Sequence, residues 1–361
     1  MSTNFTFESR LPKRILVISW RYLGDTLLLT PLLSSLKRAY PDADIDVLVP
    51  SNNVAVLENN PDIHRVISIA SKPSLGALFR LLLSLHRHYD LAINTQTSDR
   101  STLCAIVAGR QRISVVPPRP ESGWWKRWFF DATLDFDLTK SHALLGNLRF
   151  CQLLGIKPFY RVTPPCSAKP LSVDLSAKYA ILHVMPQWRY KQWHTAGWLE
   201  IGRYLNGLGY QLVLTGSPLP EEKAAIDALL KHLPDGALNL VGQLSLGQLT
   251  VLIEGAGLFI GPDTGITHQA ASTGTLTVAI FGPTDPQKWA PWPSDYQQAV
   301  SPFPSKGSHR VGNVLLIQGV DPRGCMPCQR DGCEHHRLSH SDCLDGLAAQ
   351  SVILELAKVF E

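Results

Sequence analysis

Five groups of residues in this chain have types and spacing that could do chemistry. Leu258-Phe-Ile-Gly-Pro-Asp-Thr-Gly-Ile-Thr-His268 reads as a short buried strand, a turn at Pro262-Asp263 and the start of a helix. Asp263 stands where a helix N-cap belongs, and Thr264 and His268, four residues apart, share one helical face. A helix entered this way turns backbone N–H groups and the positive end of its dipole toward whatever lies beyond the strand's carboxyl end, which makes an anion site. The plain alternative is that Asp263 only caps and His268 only packs. Lys191, in Met185-Pro-Gln-Trp-Arg-Tyr-Lys-Gln-Trp193, could hold a diphosphate as a point charge opposite residues 263–265. Taken alone it reads as a surface lysine.

Asp25 follows Gly24 in a loop just ahead of an apolar helix. It could simply complement the helix dipole, or, at a crevice between domains, accept a proton from an attacking hydroxyl. Cys325, Cys328, Cys333 and Cys343 have the spacing C-x2-C-x4-C-x9-C, in a segment that also holds His335, His336 and His340. Four thiolates so spaced can close a tetrahedral zinc or iron site, a structural one because every ligand position is filled. Reduced thiols in a loop are the alternative. Arg110, Arg112, Arg119, Lys126 and Arg127 are interleaved, toward the end of that run, with Trp124, Trp125 and Trp128. Tryptophan beside cations suits the boundary between water and lipid headgroups, or an anionic glycolipid; a tryptophan-rich core hairpin with solvated charges is the competing reading.

The elements that must position these groups follow from periodicity. In the first half, strands at 14–19, 45–49, 65–69, 90–94 and 112–116 alternate with helices at 26–40, 74–87, 99–108 and 141–154. In the second, strands at 179–184, 210–214, 257–261 and 275–281 alternate with helices at 195–208, 220–231, 245–254 and 264–273, and an amphipathic helix closes the chain over 351–360. Alternation of this kind predicts parallel sheets covered on both faces, whose ligands bind beyond the carboxyl ends of the strands. The expected division is a Rossmann-like domain over 1–165, a linker over 166–178 and a second Rossmann-like domain over 179–345. Facing each other across a cleft, two such domains would set the loops after Ser19, Val184, Thr215 and Gly261 around one space, with the Asp25 carboxylate looking toward the helix tip at 264 and Lys191 beside it.

Composition agrees with a soluble two-domain protein. The chain has 361 residues, 45% of them apolar and 18% charged, and 34 basic against 30 acidic residues give a net charge of +4. That balance is too mild to argue for nucleic acid. Met1 to Arg14 has no apolar core of a secretory signal, no run reaches the ~20 apolar residues a membrane span needs, and a cytoplasmic location is expected. In a reducing compartment seven cysteines do not make a disulfide framework.

Gly24-Asp25 before an apolar helix, Lys191-Gln-Trp193, Gly261-Pro-Asp-Thr-Gly-Ile-Thr-His268 and Phe281-Gly-Pro-Thr-Asp-Pro-Gln-Lys-Trp289 together resemble family-9 glycosyltransferases, the ADP-heptose:lipopolysaccharide heptosyltransferases of GT-B fold. The opening Arg21-Tyr-Leu-Gly-Asp-Thr-Leu-Leu-Leu-Thr-Pro31 is most similar to the heptosyltransferase III branch. The resemblance implies an inverting transfer of heptose from ADP-heptose to the inner core of lipopolysaccharide, at the inner face of the inner membrane. Asp25 would then be the general base. Lys191, Asp263, Thr264, Gly265 and His268 would hold the donor's diphosphate and sugar, Glu222 the ribose and Leu244 the adenine, while Arg119, Trp124, Trp125, Lys126 and Arg127 would meet the acceptor or the membrane surface. Catalysis would need no metal. The helix at 346–361 would pack back on the first domain. Where the family often carries threonines four or five residues before the lysine, this chain has Pro186 and Gln187. Two alternatives stand beside this reading: a family-9 enzyme using another nucleotide sugar or acceptor, and a non-catalytic cysteine-cluster binding module on an idle GT-B scaffold.

Overall fold

The computed structural model describes residues 11–136, 141–173, 175 and 178–360. Residues 1–10, where most of the leader expectation falls, and positions 174, 176 and 177 of the expected linker lie outside these. The chain divides into two compact units, Met1–Pro165 with Gln297–Val300, and Cys166–Tyr296 with Ser301–Glu361.

The first unit is built on six strands: β1 (Arg14–Ile18), β2 (Asp44–Pro50), β3 (Arg65–Ile69), β4 (Tyr89–Asn94), β5 (Gly109–Val116) and β6 (Ala132–Asp135). They lie in the order β3-β2-β1-β4-β5-β6, every neighbouring pair parallel. Ile15 to Ile18 of the central strand are sealed from solvent, as a strand with helices on both faces must be. Strand order reverses between β1 and β4, and the crevice beyond their carboxyl ends is the binding position of a doubly wound sheet.

The single helix expected over 26–40 is two, Leu23–Leu27 and Thr30–Ala39. Pro31 is the reason: without an N–H it fits the first turn of a new helix and cannot continue the old one. Thr30 Oγ1 donates to Leu27 O at the junction (2.8 Å), and Asn53 Nδ2 donates to both Arg21 O (2.7 Å) and Thr26 Oγ1 (2.8 Å), tying the short helix and its approach loop in place. The chain segment that presents Asp25 is thereby fixed at both ends.

The second unit repeats the plan with β7 (Tyr179–His183), β8 (Gln211–Thr215), β9 (Leu238–Asn239), β10 (Leu258–Pro262), β11 (Thr277–Phe281), β12 (His309–Val311) and β13 (Val314–Gln318). The order is β12-β13-β11-β10-β7-β8-β9, parallel except for the β12–β13 pair. Here the reversal falls between β7 and β10, so the loops after His183 and Pro262 rise side by side. The extra strands β9, β12 and β13 escape the sequence pattern because β9 and β12 have two and three residues and the approach to β13 is rich in Pro, Ser and Gly.

Two segments differ from expectation. The terminal helix Ala349–Phe360 was expected on the first domain; it belongs to the second, where Val352 and Leu356 join Trp193, Trp198, Ile201 and Leu205 in one core. Trp193, fully buried, donates from Nε1 to Leu347 O (2.9 Å) just ahead of that helix. Burying its apolar stripe against two tryptophans gives the helix its place. The segment expected as the linker packs on the second unit: Leu171, Val173 and Leu175 lie against the core around Tyr179 and Ile181, and Gln248 Nε2 donates to Pro170 O (3.2 Å). Among the described residues no helix is long and apolar enough to cross a membrane.

Candidate active site

In the second unit Lys191 closes a single turn, Arg189–Lys191, in the loop after β7. Its Nζ lies 2.6 Å from Asp263 Oδ2, at the end of β10. Asp263 is almost completely buried and Lys191 about one-fifth exposed, and a carboxylate taken out of water at that depth needs a cation beside it. The helix that follows is Gly265–Thr273, and its N-cap is Thr264, whose Oγ1 accepts from Thr267 N–H (3.4 Å). Asp263, read from sequence as the cap, is therefore one residue outside it and spends its charge on Lys191. Thr267 Oγ1 donates to Pro262 O (2.5 Å), and a Cβ on Gly261 would meet that hydroxyl at 2.8 Å, so strand and helix approach as closely as only glycine permits. Helix geometry leaves the Gly265 and Ile266 N–H groups directed out of the open end.

His268 lies one turn into this helix, buried, and its Nδ1 finds no hydrogen-bond partner among the described residues. Burial pushes its pKa down to about 4, with Lys191 adding to that effect and Asp263 opposing it. The ring is neutral near pH 7. His183, at the end of β7, is buried too and likewise pushed down to about 4; its Nδ1 is 3.1 Å from Thr215 Oγ1. A lysine held by one carboxylate, an open helix end and an unpartnered neutral imidazole form a seat for an anionic, hydrogen-bonding group.

Glu222, matched to the ribose, accepts from Ser217 N–H (3.0 Å) and from the Ser217 hydroxyl. The loop after β8 is thus held by the same carboxylate proposed to meet the sugar. Leu244 is half-buried beside Ser245, which opens the next helix with a full capping box to Gln248. Sequence reading missed Lys288, whose Nζ lies 3.7 Å from Asp285 and 2.5 Å from Gln329 Oε1 in the loop after β11. The quoted motif around Trp289 contained it without marking it.

In the first unit Asp25 sits in the first turn of its short helix, about 15% exposed, with Arg21 Nη1 3.4 Å away. It lines a pocket at the carboxyl ends of β1 and β4 with Ser19, Thr95, Gln96, Phe136 and Asn147, and with two guanidinium groups, Arg21 and Arg149. Arg21 stacks on Phe136 at 5.3 Å and Asn147 Nδ2 donates to Leu28 O (3.1 Å), so the polar lining is held by its own contacts. Arg149 and Asn147 come from the helix Ala143–Leu153, distant in sequence and carrying no motif. Asp44-Ile-Asp46, an acidic pair that the sequence reading also overlooked, is no metal site in this arrangement. Asp46 is taken by Tyr89 Oη (2.7 Å), Arg65 Nη2 (2.8 Å) and His64 Nδ1 (3.0 Å), near the opposite end of β2.

The tryptophan stretch is only partly a surface. Lys126, expected to face acceptor or membrane, is buried, with Nζ on Asp99 (2.6 Å) and Thr97 O (2.5 Å); Arg127 is drawn inward to Asp135 (3.1 Å) and Pro117 O (3.3 Å). Arg119 stacks on Trp124 at 4.2 Å. Facing outward with Arg119 are the apolar Trp125, Trp128 and Phe129, with Trp128 72% exposed.

The cysteines of the cluster line one small cavity, together with Pro283, Arg323, Gly332 and Asp342. Cys343 is buried, and burial together with the charges of Cys328 and Cys333 pushes its thiol up to about 12. Asp342 N–H points at Cys333 Sγ (3.4 Å). Cys333, His340 and Asp342 bring one donor atom each to within 4.8 Å of one another. Asp342, however, already holds His340 Nε2 (3.0 Å) and Arg323.

Residues 78–314 match the pattern of glycosyltransferase family 9 (heptosyltransferase). The chain is 30% identical to lipopolysaccharide heptosyltransferase 3 of Escherichia coli over 295 residues, 77% of this chain and 86% of that protein. The fold is similar to that of E. coli ADP-heptose lps heptosyltransferase II (TM-score 0.71, 20% identity, covering 96% and 98% of the two chains) and, less closely, to the iron-containing dodecameric glycosyltransferase TibC of enterotoxigenic E. coli (TM-score 0.55, 15% identity, 97% and 77%).

The buried neutral imidazole has a consequence for stability. Between about pH 4 and 6.5 the unfolded chain binds a proton at His268 that the folded chain refuses, so stability is full above pH 6.5 and falls as pH drops through that window. Denaturant unfolding followed across pH 4.5–7.5 should show this slope. His268→Gln should flatten it by about one proton; an unchanged slope would mean that His268 is already protonated in the folded state. The match over two-thirds of its length and the 30% identity to a heptosyltransferase place this chain in glycosyltransferase family 9, the heptosyltransferases.

Proposed function

We propose that the protein transfers heptose from ADP-heptose to the inner core of lipopolysaccharide, with inversion at the anomeric carbon. The observation that carries this is the Lys191–Asp263 pair at the open end of the Gly265–Thr273 helix, in a family-9 chain. In this reading the acceptor hydroxyl gives its proton to Asp25 as its oxygen attacks C1. The bond from C1 to the diphosphate oxygen breaks, and ADP leaves with the electron pair. Lys191, the Thr264–Gly265 backbone and His268 stabilise the charge that grows on that leaving group, which is where electrostatic catalysis acts. Arg21 and Arg149 beside Asp25 suit an acceptor sugar that carries anionic groups. Names of relatives support donor and acceptor: one is a lipopolysaccharide heptosyltransferase, another an ADP-heptose enzyme.

The cysteine cluster fits a structural metal ion held by Cys325, Cys328, Cys333 and Cys343. All four cysteines line one cavity, where a bound cation would draw the protons from their thiols, and Asp342, engaged by Arg323 and His340, is the poorer ligand. Such an ion would stabilise its loop and would not touch the reacting groups. The exposed Trp125, Trp128 and Phe129 suit the interfacial layer of a membrane carrying the acceptor, as a peripheral contact on the cytoplasmic face.

Asp25→Asn should lower kcat about 10²- to 10⁴-fold, with product followed by mass spectrometry on truncated lipopolysaccharide, while ADP affinity by calorimetry stays as in the parent. Loss of both together would assign Asp25 to the fold instead of the chemistry. For the membrane contact, Trp125→Ser/Trp128→Ser should leave the pellet in sedimentation with anionic phospholipid vesicles at unchanged thermal stability. Equal sedimentation of parent and variant would remove that surface from the account.

A further inference from the structure

The cysteine segment, residues 321–347, touches the donor loop at nearly every residue that positions Lys191. Ser341 Oγ donates to Tyr190 O (2.6 Å) in a buried contact, one residue before Lys191. Tyr190 in turn bonds through its phenol to Asp331, which lies between Cys328 and Cys333. Arg337 stacks on Trp188 at 4.2 Å. Past the lysine, Trp193 Nε1 and His194 Nε2 both meet Leu347 O at 2.9 Å. The loop after β11 is held by the same segment, since Gln329 N–H donates to Pro283 O (2.8 Å) and Lys288 Nζ to Gln329 Oε1 (2.5 Å). Val320 N–H donates to Cys343 O (2.9 Å), which anchors the segment beyond β13.

Ser341, Asp331 and Arg337 are each within two to six residues of a cluster cysteine, and Ser341 is followed directly by Asp342, whose N–H points at Cys333 Sγ. The backbone that closes around the thiolates is therefore the backbone that carries the brace. Lys191 sits in a turn only three residues long, and its side chain meets Asp263. A three-residue turn does not hold a charged side chain at a fixed point without outside contacts.

We propose that the cysteine segment is a metal-set brace for the donor loop, in which filling the thiolate site fixes Lys191 beside Asp263 and so raises affinity for a nucleoside diphosphate. Ser341 is its principal positioning residue. The inference rests on both readings above, the anion seat and the four-thiolate site.

The test uses the full-length protein and measures metal content by elemental analysis and binding of ADP and adenosine by calorimetry. Three states are compared: as isolated, stripped by a chelator under reducing conditions, and reloaded with Zn²⁺ or Fe²⁺. Stripping should weaken ADP at least tenfold while adenosine binding is unchanged, and reloading should restore it. Ser341→Ala, with metal content as in the parent, should weaken ADP about three- to tenfold through the lost hydrogen bond, again sparing adenosine, and Ser341→Thr should rescue it. Equal ADP affinity in stripped and loaded protein would overturn the brace while leaving the metal site standing. A protein that takes up no metal overturns the thiolate reading and the brace with it, and a loaded protein that does not prefer ADP to adenosine overturns the anion seat. Should stripping unfold the chain, Ser341→Ala decides alone: unchanged ADP affinity rejects the brace.

Discussion

The salt bridge between Lys191 and Asp263 is the interaction on which the account depends. Asp263 follows a strand buried along its whole length, and at 6% exposure its carboxylate is turned away from water and toward Lys191. Lys191 supplies the partner from the neighbouring strand's loop. That arrangement fixes the ammonium group beside the positive end of a helix, where an unaccompanied cation would be repelled. The carboxylate therefore makes it possible to concentrate two sources of positive potential in one place, and an incoming diphosphate can share the lysine that Asp263 holds. His268 completes the seat as a neutral donor or acceptor, kept neutral by burial and by the lysine itself.

Both sheets serve this end in the same way. Each reverses its strand order between its first and fourth strands in chain order, and each opens its polar loops at that point. In the first unit the crevice receives Asp25, two arginines and Asn147; in the second it receives Lys191 and the helix end. The proposed function divides the chemistry accordingly, with a carboxylate to take a proton in one crevice and a cation to receive a leaving phosphate in the other. The cysteine segment adds rigidity to the second crevice by contacts on both sides of Lys191.

Much of this was legible in the sequence. Alternating strands and helices gave the two doubly wound units, because a strand buried on both faces must be continuously apolar and its covering helices amphipathic. The same alternation put Asp25, Lys191 and His268 in the segments that follow β1, β7 and β10. Other features depended on contacts between distant residues and left no local trace. Pro31 could have signalled the split helix, whereas the burial of Lys126 against Asp99 and Thr97 had no signal at all. The cap at Thr264 instead of Asp263 is a shift of one residue that only the lysine's position explains. The terminal helix settled on the second unit because Trp193 and Trp198 offered it an apolar face there, and no pattern within the helix says which unit it will cover.

The most direct measurement of the central claim is calorimetric binding of ADP and of adenosine to the parent protein and to Lys191→Met, at a pH where His268 is neutral. If the ion pair builds the anion seat, the parent binds ADP far more tightly than adenosine, and the variant loses about ten- to a hundredfold of ADP affinity with adenosine unaffected. The same ratio of ADP to adenosine affinity in both proteins would contradict the account, because the diphosphate would then be held somewhere that Lys191 does not reach.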